Sequence, residues 1–205
     1  MGYDFEKTHE LILASAKEHF MDKGFSGASI RQICKDAGVT NGAFYSHFSS
    51  KEDLFAKLVD PVLNGFNDLY SEEETGYEKI SSVKEFERML VSTFRSEERM
   101  ISYLYEHADI FRLILMAGQG TEYEDLPGKI AAMESEWTFS FLEDNSKYIK
   151  RKENISEGIV NRISRFVVDS VFESFHEGKT KEETVRQSNL ASEFCINGLK
   201  KILGF

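Results

Sequence analysis

Between Ser29 and Lys51 the chain reads SIRQICKDAGVTNGAFYSHFSSK, where helix caps, small residues and exposed polar types alternate at short range. Thr40 can cap a short helix that offers Asn41, Gly42, Ala43 and Tyr45 on one side, while Val39, Phe44 and Phe48 supply anchoring bulk on the other. Small side chains at Gly42 and Ala43 let such a helix approach a surface closely by its N-terminal end, as a helix entering a DNA major groove must. A few residues on, Ser50 and Asp53 form a capping box, so the next helix presents a positive amide end, with Lys51, where a phosphate could be gripped.

The elements that must position this surface are legible around it. Ser29 and Gln32 stand in S-x-x-Q order and open a preceding helix, on which Ile30, Ile33, Cys34 and Ala37 make an apolar stripe. Gly38 then supplies a left-handed stop, and two short helices around a tight turn result. Upstream, the pattern predicts a helix over 5–22 with Ile12, Ala16 and Phe20 on one face, ended by Gly24, with Phe25 folding back. A fourth helix starts at Lys51 and buries Leu54, Phe55, Leu58 and Val62, with a kink or break expected at Pro61.

The run from Ile12 to Phe55, with AKEHFMDKGF, SIRQICKDAGV and TNGAFYSHFSSKEDLF in order, resembles the DNA-binding domain of the tetracycline-repressor (TetR) family of transcriptional regulators. The resemblance implies two jobs for the matching positions. Thr40, Asn41, Gly42 and Ala43 would meet base edges; Ser29, Tyr45, His47 and Lys51 would touch phosphates, with Arg31 as an assistant beside them. Beyond residue 60 the likeness is architectural only.

Composition bounds the rest. A chain of 205 residues with 41% hydrophobic content can bury a sizeable core. Only two prolines and almost no period-two alternation predict an all-α protein. Cys34 and Cys195 are too few and too isolated for a disulfide framework or a zinc site, and no cofactor or metal is expected. Without an apolar run long enough for a signal peptide or membrane span, and with Glu6 where a myristoylation motif wants Ser or Thr, a cytoplasmic location without membrane association is expected. The net charge of −10 opposes DNA binding until it is localised. Residues 1–58 hold seven Lys+Arg against eight Asp+Glu, and the remainder 18 against 27, so nearly all the excess acid lies outside the reader.

The expected organisation is a helix-turn-helix head over 1–60 and a helical ligand-binding and dimerisation domain over 61–205, with a polar loop over 70–82. Further helices are predicted over 83–99, 102–117 and 129–145, the basic run 147–152 closing the last and facing water. Aromatic and sulfur side chains there could enclose an apolar pocket: Phe86, Met89, Phe111, Met116, Met133, Trp137 and Phe141, with Tyr103, His107 and Arg112 as polar anchors. Two final stripes, Ile159, Ile163, Phe166, Val167 and Ser170, then Ala191, Phe194, Cys195, Gly198, Leu199 and Ile202, mix bulky and small residues at three- and four-residue spacing. Periodicity and the resemblance together predict a homodimer in which these helices pair as a four-helix bundle.

The resemblance implies a repressor of a palindromic operator, released when a small, largely apolar effector moves the helices linked to the fourth helix. Two rivals stand beside it. An enzyme finds no nucleophile motif, metal-ligand spacing or phosphate loop to support it. A helical dimer that binds small molecules or acts as a scaffold without DNA is kept open by the nearly neutral head.

Overall fold

The computed structural model describes the backbone of residues 2–74, 80–93 and 97–204, and the side chains of 5–70, 80–92 and 98–204. Among the described residues every regular element is helical: α1 (Gly2–Gly27), α2 (Ile30–Asp36), α3 (Asn41–His47), α4 (Lys51–Glu74), α5 (Val83–Thr93), α6 (Glu97–Glu106), α7 (Ala108–Ala117), α8 (Leu126–Asp144), α9 (Glu157–His176) and α10 (Lys181–Leu203). Two 3-10 turns, Ser146–Tyr148 and Lys152–Asn154, lie between α8 and α9. None of the described helices is long and apolar enough to cross a membrane.

The chain divides into two compact units, Met1–Asp68 with His107–Leu126, and Leu69–Glu106 with Pro127–Phe205. The first therefore takes in α7, which a division at residue 60 leaves to the second. Its packing explains why: α7 lies on α1, Lys17 pairs with Asp109, and Phe111 meets Phe66 edge-on at 5.6 Å. The turn after α7 is tied back as well, by a 2.5 Å hydrogen bond from the Tyr123 hydroxyl to Asp60 of α4.

Within this unit the first regular helix breaks at Gly24, as expected, at φ 69° and ψ 169°, a backbone conformation that costs a side-chain-bearing residue far more than glycine, and the remaining turn to Gly27 continues beyond the kink. The kink drops Phe25 onto Phe20 and Phe55, with ring centroids 5.8 and 5.5 Å away, as its sequence position predicts. Helix α4, by contrast, runs unbroken through Pro61. Pro61 is exposed, so the carbonyl it leaves unbonded can be hydrated, while Leu54, Phe55, Val59, Val62 and Phe66 hold the opposite face in the core. Val59 takes the fully buried place expected of Leu58, which is half-buried.

In the second unit the core gathers Phe86, Leu90, Phe141, Leu142, Ile149, Val160, Val167, Cys195, Ile196, Leu199 and Leu203. The loop expected over 70–82 starts later, because α4 continues to Glu74; residues 75–79 lie outside the described residues. The helix expected over 83–99 stops at Thr93, with Phe94 and its two successors also outside them. The one expected over 102–117 is two helices, α6 and α7, separated at His107 (φ −112°, ψ 33°). Helix α8 begins three residues early because Pro127 falls in its first turn, where a missing N–H costs nothing. The side chains of Lys147, Lys150, Arg151 and Lys152 are exposed, as expected, and the Arg151 amide donates to Leu203 O at 3.0 Å, fastening the end of α10.

The turn from α9 to α10 is closed by paired end motifs. The Gly178 and Lys179 amides donate back to Phe175 and Ser174, and Thr180 and Glu183 then form a complete capping box. Two long helices so joined must run antiparallel, and α9 packs along α10.

Candidate nucleic-acid interface

The interface is built on α2 and α3. Helix α2 ends in a double backbone cap: the Gly38 amide donates to Lys35 O at 3.1 Å and the Val39 amide to Cys34 O at 2.9 Å, with Gly38 at φ 71°. That turn delivers Thr40 to the start of α3, where its hydroxyl accepts from the Ala43 amide at 3.1 Å. Phe44 is fully buried and Phe48 nearly so, fixing the rotation of α3 about its axis. The opposite side then follows. Asn41, Gly42 and Tyr45 are exposed, the last at 62%, and Ala43 is half-buried. A Cβ added at Gly42 would meet only Thr40 Oγ1 at 3.7 Å, so the helix start is open to close approach.

Several expected contacts have different geometry. Ser29 keeps an extended N-cap backbone, but its hydroxyl caps nothing. Gln32 does not reach back to the Ser29 amide; its side chain is turned one turn on to the Asp36 carboxylate, where Nε2 donates to Oδ1 and Oδ2 at 2.9 and 3.0 Å in charge-assisted bonds. Ser29 and Arg31 are both exposed at the head of α2. Ser50 caps α4 by accepting from the Asp53 amide at 3.1 Å; Asp53 answers not to Ser50 but to the amide and hydroxyl of Ser49, at 2.7 and 3.0 Å.

Lys51 shows the largest difference. Its ammonium donates to the carbonyls of Phe25 at 2.7 Å and Ala28 at 3.1 Å and sits 4.5 Å over the Phe25 ring. In this structure the charge expected at a phosphate caps the C-terminal end of α1. His47 is likewise drawn inward. Its ring lies 3.9 Å from that of Phe5 and 5.6 Å from that of His9, and Nδ1 is buried without a hydrogen-bond partner among the described residues. Burial first, and then the neighbouring His9, lowers the pKa of His47.

Three supporting contacts escaped the sequence. The Ser15 hydroxyl donates to Ile33 O at 3.0 Å, pinning α1 to α2. One turn along α1, His19 Nε2 is 2.8 Å from Asp36 Oδ2, and Asp36 titrates below the usual carboxylate range through its bonds from Gln32 and His19. His9 stacks on Phe48 at 4.7 Å. The signal was faint: Ser15 and His19 share a helix face with Ile12, Ala16 and Phe20, which reads as core, and core polar residues need partners.

The other predicted sites lie away from this surface. The ten pocket candidates are divided between the units: His107, Phe111, Arg112 and Met116 belong to the first, the other six to the second. Of those six, Phe86 stacks on Phe141 at 5.5 Å, Trp137 on Phe141 at 6.0 Å, and Met89 packs against the same core; Tyr103 is half-buried, Met133 exposed. The dimer candidates also divide. Val167, Cys195 and Leu199 are buried in the chain's own core, with Ala191 buried and Ile163 packed against that core. Phe166, Phe194, Gly198 and Ile202 are exposed, Ile159 and Ser170 half-buried.

Two short helices joined by a glycine turn, the second anchored by buried aromatics and presenting a capped, small-residue N-terminus, define a helix-turn-helix domain. Residues 12–58 match the family model of the bacterial regulatory proteins of the tetR family. In its N-terminal domain the chain is thus similar to the DNA-binding domain of those regulators. It is 31% identical over 96 residues to the HTH-type transcriptional regulator AcrR of Shigella flexneri, 46% of this chain and 45% of that protein. It is 37% identical over 59 residues to the HTH-type transcriptional regulator UidR of Escherichia coli, 29% and 30% of the two chains. The aligned region thus spans less than half the length of these relatives. Along most of the chain the fold is similar to that of a candidate fatty acid metabolism regulator from Clostridium perfringens, with a TM-score of 0.52 and 20% identity over 94% of this chain and 96% of that one.

Proposed function

We propose that this protein is a transcriptional regulator that binds a palindromic operator as a homodimer, represses from it, and is released by a small, largely apolar effector. The observation that carries the reading is α3, whose exposed Asn41, Gly42 and Tyr45 are backed by buried Phe44 and Phe48. Thr40, Asn41, Gly42 and Ala43 would lie against base edges; Tyr45, Ser29 and Arg31 would lie against phosphates. With an N-terminal region close to neutral, affinity would rest on few phosphate contacts and on shape.

Dimerisation is supported by the far side of α9 and α10. Phe166 (51% exposed), Leu190 (52%), Phe194 (73%) and Ile202 (37%) make an apolar stripe, with Gly198 open between the last two. A second copy related by a twofold axis would cover that stripe, and two reading helices about 34 Å apart would then meet successive major grooves.

The test is competition binding to the chain's own promoter fragment. Tyr45→Phe should weaken binding several-fold on every sequence, whereas Asn41→Ala should change which sequences win. Affinity and preference that survive both substitutions would overturn the assignment of α3.

A further inference from the structure

The inward side of α10 carries Thr184, Ser188 and Ser192 at four-residue spacing, all at most 2% exposed. Thr184 is satisfied: its Oγ1 lies 2.6 Å from the hydroxyl of Tyr105 on α6, which also reaches Lys179 O at 2.8 Å. The next two are not. Ser188 Oγ and Ser192 Oγ are buried and have no hydrogen-bond partner among the described residues. A helical serine ordinarily folds its hydroxyl back onto the carbonyl one turn earlier, as Ser46 does to Gly42 at 3.2 Å and Ser102 to Glu98 at 2.8 Å. Alanine at either position would be a better helix former and would bury no unmet hydroxyl, so stability of the free chain does not account for two serines there.

The surroundings define what could meet them. Helices α6 and α9 both pack on α10. In the second unit the other buried polar side chains are Ser135 and Thr138 of α8 and Ser164 and Ser174 of α9; among the described residues no charged side chain joins them. A charged group buried as deeply as these two hydroxyls would carry a heavy desolvation cost, whereas a hydroxyl or carbonyl would find donors and acceptors one helical turn, about 6 Å, apart.

We propose that Ser188 and Ser192 are the polar contacts of a binding site inside the second unit for an uncharged amphipathic small molecule, whose hydroxyl or carbonyl they hold while its apolar body lies among the side chains around them. The proposal rests on the reading that the protein answers to an effector, and it names the class of that effector. The closing experiment compares three probes of equal length, n-octanol, octanoate and octylammonium, binding to the full chain by titration calorimetry near neutral pH. The alcohol should bind once per chain, and the two ions at least tenfold more weakly.

The Ser188→Ala, Ser192→Ala double variant should keep its melting temperature and lose roughly tenfold or more in affinity for the alcohol. Ser188→Thr, which keeps the hydroxyl, should retain the preference for the alcohol over the ions. Equal binding of the three probes, an alcohol affinity indifferent to the double substitution, or no binding at all would overturn the site. Recovery of an operator by the same preparation confines that failure to the site; alcohol binding with no operator would sink the regulator and leave the site standing.

Discussion

Replacing Lys51 by Met removes an ammonium from the two carbonyls it holds most closely, Phe25 and Ala28, and from the more distant Ser26, while keeping the apolar stem over Phe25. A hydrogen bond from a charged donor contributes about 1.5–3 kcal/mol when buried. Here the group is partly exposed, and water can replace part of what is lost, so we take about 2 kcal/mol for both bonds and the ring contact together. For a unit of this size that lowers the melting temperature by roughly 10 °C. Thermal unfolding followed by circular dichroism measures it. A second readout separates this role from the phosphate contact that sequence position suggests: the slope of log K against log salt for DNA binding. A residue that neutralises one phosphate takes about 0.9 from that slope when removed, whereas one that caps α1 leaves it unchanged. An unaltered melting temperature with a reduced slope would refute the capping assignment.

Tyr123→Phe should cost about 1 kcal/mol by leaving Asp60 one donor short. It should also change the alkaline limb of stability. Burial, then the Asp60 bond and charge, holds the Tyr123 phenol well above its ordinary value, so its contribution is full below about pH 10 and is lost as the pH rises past it, where the unfolded chain gives up the proton first. Denaturant titrations across that range should show the decline in the wild type and a smaller one in the variant. Phe194→Glu should turn a dimer into a monomer in sedimentation experiments, because burying each exposed ring is worth about 1.5–3 kcal/mol and the twofold counts it twice, while the chain's own core, which Phe194 does not enter, keeps its melting behaviour.

Local order was readable where a short segment decides it. Gly38, Thr40 and the spacing of Phe44 and Phe48 specify the turn and the rotation of α3 without help from elsewhere, and the structure realises them. Long-range partners were not. Lys51 is 23 and 26 residues from the Ala28 and Phe25 carbonyls that hold it, and only folding brings the end of α1 beneath its ammonium. Gln32 had two partners within reach, the Ser29 amide as donor and the Asp36 carboxylate as acceptor, and the sequence could not weigh one against the other, because Asp36 is itself held by His19. The last two helices illustrate a third limit. Apolar residues at three- and four-residue spacing mark a face, yet α9 and α10 have two apolar faces each; Val167, Cys195 and Leu199 turned to the chain's own core, and Phe166 and Phe194 to the outside. Pro61 sets a related limit, since its effect on α4 depends on whether the carbonyl it orphans meets water.

The most direct measurement is selection of bound sequences from a random duplex pool by the full-length protein. The account predicts an inverted repeat whose half-sites are centred about one helical turn apart, the signature of two α3 helices related by a twofold axis. Enrichment of a single unrepeated site, or of no sequence at all, would contradict it.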